Sequence, residues 1–291
     1  MMKNIKYLVI ALAITFSNCQ EKDIPNPDKS SINSELGYQN QFDKFLTKEF
    51  VTPYNIEILY KLPDVESNFN YTLVPADYQK SIRLANLIKY LCLDAYNAVA
   101  PASFLKETFP KQIVFVGSAG YNNNNTRLLG TAEGGVKISL YDINTLDITD
   151  VEALNRLFFN TIHHEFGHVL HQKIPFSTDF TEIVGAGYIG DDWSTQWGPG
   201  ESLQAGFISD YASNQVSDDF VELISHYVLS TETDWADIIV NAGPGGSLIT
   251  SKMSIIKSYL KNNWDFDIDD LRAEVQDRYD NLSSQDLDNI N

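Results

Sequence analysis

The chain has 291 residues, 43% of them hydrophobic and 12% aromatic, which is ample material for one sizeable core. Lys plus Arg number 21 against 39 Asp plus Glu, a formal net charge of −18. That balance argues against nucleic acid and against anionic membrane surfaces as partners, since both reward a basic face. The excess carboxylates read as a solvated surface.

Residues 1–18 read as an export signal. Lys3 and Lys6 form a positive start, Tyr7 to Phe16 is apolar, and Ser17 and Asn18 precede Cys19. The apolar run is too short to span a bilayer as a mature helix. A cysteine directly after such a run resembles the acylation site of bacterial lipoproteins, although Asn18 departs from the small residue usual there. Lipidation is therefore expected at Cys19, with an exported, outer-membrane location. Removing residues 1–18 takes away two lysines and no acid, so the charge moves from −18 to −20. With Cys19 acylated, Cys92 has no partner; its apolar helical surroundings suit a small buried hydrophobe. Residues 19–36, rich in charge, Pro, Asn and Ser, read as a flexible tether, and 37–291 as the domain.

Within the domain, periodicity predicts a helix over 40–50, a strand from Asn55 to Leu62, a long amphipathic helix over 76–98 and a shorter one after Pro101. Gln112 to Val116 reads as a strand, the asparagine run after Tyr121 as an exposed turn, and Gly135 to Tyr141 as another strand. Thr149 with Glu152 suggests a capping box opening a helix that stops near Pro175; Val151, Leu154, Leu157, Phe158, Ile162, Val169 and Leu170 recur along it. Residues 185–200 show little periodicity. Helices are expected again at 217–230, 232–241, 247–262 and 267–281.

The long helix carries His164-Glu-Phe-Gly-His168, the HExxH pattern. Imidazoles four residues apart stand on one helical face, with Cβ atoms about 5–6 Å apart, so both can converge on one zinc ion. Glu165 can then serve as general base toward a coordinated water. A catalytic zinc needs three protein ligands and an open position. Position 174 is Ile, so no histidine follows at metzincin spacing. His171 shares the face but lies about 10 Å beyond His164 along the axis, too far for the same metal, and reads as cleft-lining or as a support for a ligand. His163 points about 100° away. The third ligand is then a carboxylate from another helix: Glu182, Glu201 or Glu222. Glu222 has the best context, an acid among Phe220, Val221, Leu223, Ile224 and Val228, where burial demands a cation. Asp219 suits a group orienting a ligating imidazole or a helix N-terminal charge, and His226 is a rival ligand. Trp193 and Trp197 read as loop anchors or cleft walls. Asn241-Ala-Gly-Pro-Gly-Gly lacks the ending of a phosphate loop and reads as a turn.

A small sheet, the HExxH helix and a helical second half together resemble the zincin metallopeptidases. The implied fold is α+β: a small mixed sheet, an active-site helix and a helical C-terminal half. The edge strand beside that helix, Val136 to Tyr141, would bind an extended peptide by strand addition. His164-Glu-Phe-Gly-His168 with Asp218-Asp-Phe-Val-Glu222, behind a lipoprotein-type signal, resembles the substrate import-associated zinc metallohydrolase lipoproteins of Gram-negative bacteria. The resemblance implies a gluzincin-like site with His164, His168 and Glu222 on Zn2+, a peptide or protein substrate, and association with TonB-dependent nutrient uptake. The Phe-x-x-Glu arrangement also looks like that of the lethal factor type of peptidase, where an upstream tyrosine supports the transition state; Tyr211 is the comparable residue here. On this reading Glu165 and Tyr211 are catalytic. The alternative is a catalytically silent binding or accessory protein of an outer-membrane transporter on the same scaffold.

Overall fold

Acidic or hydroxyl side chains start helices by accepting a backbone N–H of the first turn: Asp77 from Lys80, Asp150 from Ala153, Thr231 from Asp234 and Asp267 from Asp269. The computed structural model describes residues 39–290 apart from 64–65, 67–70, 122–126, 129 and 134–135. The signal, Cys19, the tether and the asparagine run fall outside the described residues. Helix α1 spans 41–54 with a π-turn at Thr47–Val51. Helix α2 spans 78–99 with a π-turn at Ile88–Leu93, and α3 is Phe104–Thr108. Helix α4 covers 151–173, again with a π-turn, Asn155–Phe159, before its last segment Asn160–Lys173. Short helices α5 (Asp179–Glu182), α6 (Trp193–Gln196) and α7 (Glu201–Gln204) punctuate the following loop. Helices α8 (Val216–Leu229), α9 (Glu232–Asn241), α10 (Gly246–Trp264) and α11 (Ile268–Asp280) complete the chain.

Strands β1 (Glu57–Leu59), β2 (Gln112–Phe115), β5 (Gly130–Glu133) and β6 (Lys137–Leu140) form a sheet in the order β1-β2-β6-β5. The first three run parallel and β5 antiparallel to β6. A separate antiparallel pair joins β3 (Gly120–Tyr121) to β4 (Arg127–Leu128). Two expectations are corrected here. The strand at Val136 to Tyr141 is interior, between β2 and β5; the edge belongs to β5, which lies against the last segment of α4. Gly-Thr-Ala-Glu has small residues and no alternation, so its strand character comes from pairing with β6 and not from its own sequence. At the start of α4 the cap is Asp150, because Thr149 is engaged with Asp147 through both its N–H and its hydroxyl.

The chain divides into Met1–Asn40 and Gln41–Asn291; the core of the described residues lies in the second unit. Its centre is α4 packed on α8. From α4, Phe166 meets Phe109, Tyr96 and Phe104 with ring centroids 4.9, 5.1 and 5.5 Å apart, a packing worth about 3–5 kcal/mol against truncation to alanine. On the side facing α8 Gly167 allows the approach: a Cβ there would lie 2.8 Å from Val221 Cγ1. The π-turn of α4 is secured at Asn155, whose side chain accepts the Tyr279 hydroxyl from α11. These contacts set the rotation of α4 and so decide which residues of HExxH face α8.

Candidate metal centre

The α4 residues His164, Glu165 and His168 each bring a donor atom within 4.8 Å of the others. The Nε2 atoms of His164 and His168 are 3.1 Å apart. His163 turns the other way, into the core; the Tyr96 hydroxyl meets its Nδ1 at 3.1 Å, and burial lowers its pKa to about 4, so it is a neutral packing residue. Burial also pushes the Glu165 carboxyl above its ordinary range, against the opposing pull of His164 and His168. An acid so raised holds a proton more readily, as a general base must.

Helix α8 faces this cluster with three buried acids, Asp218, Asp219 and Glu222. Glu222 lies on the helix packed against α4 and meets His164. Its Oε1 lies 2.7 Å from His164 Nδ1, the nitrogen on the opposite side of the ring from Nε2. Its Oε2 accepts from Ser209 at 2.6 Å and lies 3.5 Å from His226 Nε2. Burial would raise its pKa, but the bonds to His164 and His226 outweigh that and hold it far below the usual carboxylate range. An ionised carboxylate only accepts, so His164 Nδ1 donates, and a neutral His164 ring presents its lone pair on Nε2. The acid nearer the metal side of the pair is Asp218, one turn earlier: its Oδ1 lies 3.4 Å from His168 Nε2, and Asn214 donates to its Oδ2 at 2.6 Å.

Asp219 is turned away from both imidazoles. It pairs with the fully buried Lys252 of α10 and accepts the Tyr188 hydroxyl at 2.8 Å. The expectation that it orients a ligating imidazole therefore gives way to a structural ion pair. Of the other carboxylates weighed, Glu182 is exposed, and Glu201 is exposed and accepts the N–H of Gly198. His226 stays on the outer oxygen of Glu222. His171, a poor ligand on distance grounds, sits with Nε2 2.8 Å from His168 Nδ1, and burial together with His168 lowers its pKa to about 4.

Tyr211 begins a short turn, Tyr211–Ser213, and its ring lies 5.8 Å from that of His164. Burial first, then the nearby Asp218, Glu165 and Glu222, raise its pKa, so the phenol keeps its proton. Trp193 packs edge-on against Tyr211 at 5.1 Å. Trp197 instead donates to Ser213 and packs on Phe207, anchoring the loop. The contacts of Asp218, Ser209 and Glu222 were not legible from spacing alone. The usable signal was a pair of acids four residues apart on one buried helix, which must point the same way.

The donor chemistry fits zinc. Tetrahedral ligands at about 2.0–2.1 Å leave neighbouring donor atoms about 3.3 Å apart. The observed 3.1 Å between the imidazole nitrogens and 3.4 Å from His168 to Asp218 lie on either side of that value.

Residues 36–269 match the profile of a protein family described as "Putative zinc-binding metallo-peptidase". Among solved structures the chain is similar to the 2.10 Å crystal structure of a protein of that same description from Bacteroides caccae ATCC 43185. The two share 33% identity with a TM-score of 0.76, over 86% of this chain and 96% of that one. A comparison with curated proteins finds no match.

Proposed function

The chain belongs to the zinc-binding metallo-peptidase family whose profile spans residues 36–269, and from that premise we propose that it is a zinc-dependent peptidase whose metal is held by His164, His168 and Asp218. The observation that carries this reading is the pair of imidazole Nε2 atoms 3.1 Å apart, with Asp218 3.4 Å from that of His168, beside a buried, raised Glu165. Glu222, first expected on the metal, becomes the acid that orients His164 and sharpens its basicity.

Zinc, when bound, supplies Lewis acidity toward the scissile carbonyl and lowers the pKa of a water toward neutrality. Glu165 accepts the proton of the attacking water at its carboxylate and returns it to the leaving amine. Tyr211, kept protonated by its surroundings, donates to the oxyanion as it develops. Trp193 holds the Tyr211 ring from behind, and β5, the edge strand against α4, offers backbone groups to an extended chain. Acylation at Cys19 anchors the enzyme in the outer membrane, where it serves a TonB-dependent uptake system by trimming peptide material. Among the described residues no helix is long and apolar enough to cross a membrane.

The test is metal analysis together with digestion of a peptide library. Wild type should carry zinc and cleave. Glu165→Gln should keep the zinc and lose turnover by about 10²–10⁴-fold. Equal turnover in the variant would overturn the peptidase reading; zinc without any cleavage in the wild type would favour an accessory protein instead. Labelled palmitate should enter wild type and not Cys19→Ala, and an unlabelled wild type would remove the anchor.

A further inference from the structure

The two histidines of the motif are supported differently. His164 gives its Nδ1 proton to a carboxylate, whereas His168 Nδ1 faces a second imidazole, His171 Nε2, at 2.8 Å. We propose that His171 is a positioning residue which accepts the Nδ1 proton of His168 and so holds His168 in the tautomer that presents Nε2 to the metal. The inference rests on the zinc-site reading above.

Two ring nitrogens at hydrogen-bond distance share one proton, and the arrangement has two states. If His171 donated, His168 would carry its own proton on Nε2, aimed at His164 Nε2 and Asp218, and would have no lone pair for a metal. If His171 accepts, the Nε2 lone pairs of His168 and His164, 3.1 Å apart, are both free for a cation. Only the second state is competent, so binding of a cation selects it.

The His171 ring is held for this task. It meets Phe176 edge-on at 5.6 Å and Phe220 at 6.4 Å, and those two rings stack on each other at 4.2 Å. Phe220 belongs to α8, next to the acids, so packing that places Asp218 also places His171. A ring seated against two phenyl groups keeps its orientation when the metal leaves. A metal-ligating histidine normally donates its second N–H to a carboxylate, carbonyl or water. An imidazole in that position adds no negative charge, which leaves His168 the less basic of the two ligands.

The experiment measures zinc affinity by competition with a chelator, in the Glu165→Gln background so that turnover plays no part. His171→Phe keeps the aromatic packing and removes the acceptor; zinc affinity should fall about 10–100-fold at unchanged circular dichroism. His171→Gln, whose amide oxygen reaches the Nε2 position, should recover most of it. A purely structural His171 would give the same affinity in both variants. If wild type takes up zinc and His171→Phe binds it equally well, the inference is overturned while the zinc site stands; if wild type takes up none, the site reading itself fails. Should His171→Phe not fold, nitrogen NMR of the zinc-loaded wild type decides: an unprotonated His171 Nε2 supports the inference, and a protonated one overturns it.

Discussion

Helix α8 buries three acids within two turns, and they meet two different fates. Asp219 is closed off by Lys252, Tyr188 and the packing around them, so its charge is matched inside the protein. Asp218 and Glu222, on the adjoining face, meet imidazoles that carry charge only when protonated. A buried anion with a resident cation is architecture; buried anions grouped around imidazoles are, on the reading proposed here, a site that a metal cation completes. The same helix thus separates stability from chemistry by a rotation of about 100° between consecutive residues.

The contrast is broken most severely by removing one member from each side. Asp218→Ala should reduce zinc affinity more than Glu222→Ala, because the first removes a donor atom and the second an outer partner, a loss of about 10–100-fold. Chelator competition on both variants checks the order, and the reverse order would return Glu222 to the metal. On the structural side, Lys252→Met leaves Asp219 without its cation and should cost about 3–5 kcal/mol of stability, measured by denaturant unfolding. The folded fraction should bind zinc as wild type does. A Lys252 variant that stays stable but loses zinc would erase the distinction between the two faces.

A subtler change tests the seam between the helices. Gly167→Ala places a methyl 2.8 Å from Val221 Cγ1, and overpacking of this kind costs about 1–3 kcal/mol. Because His164 and His168 flank Gly167 on α4, any separation of α4 from α8 also moves Asp218 away from His168. Stability and zinc affinity should fall together here, unlike in Lys252→Met. Thermal unfolding with and without zinc would show whether they do.

Much of this was legible in the sequence, for physical reasons that can be named. The helices of the C-terminal half were read nearly to the residue because capping side chains and apolar periodicity coincide: Glu232–Asn241 opens on the Thr231 box. HExxH was readable because four-residue spacing fixes a helical face. The partner of each acid on α8 was not, since helical phase says that Asp218 and Glu222 point the same way but not which imidazole nitrogen each meets. In the structure Glu222 Oε1 meets Nδ1 of His164 at 2.7 Å and Asp218 Oδ1 lies 3.4 Å from Nε2 of His168. Strand β5 was also hidden, because Gly130–Glu133 has no alternation and depends on its neighbour for pairing. The N-cap slipped from Thr149 to Asp150 because Asp147 captures the threonine hydroxyl first.

The smallest expected effect belongs to His226, once a rival ligand. Its Nε2 is 3.5 Å from Glu222 Oε2, and a third of its side chain is open to solvent. Ser209 holds that same oxygen at 2.6 Å, so the anion keeps a partner when the imidazole is removed. A partly exposed pair of this length contributes about 0–1 kcal/mol, and His226→Ala should therefore change zinc affinity by no more than about fivefold. Ser209→Ala should cost more despite removing a smaller group, because a buried carboxylate oxygen then loses its short donor and about 1–3 kcal/mol with it. The pair of variants orders the contacts of Glu222 by burial and not by charge. If His226→Ala proved the more damaging of the two, Glu222 would be set by its charged neighbour, and the account of how it holds His164 would have to start from α8 and not from the loop that carries Ser209.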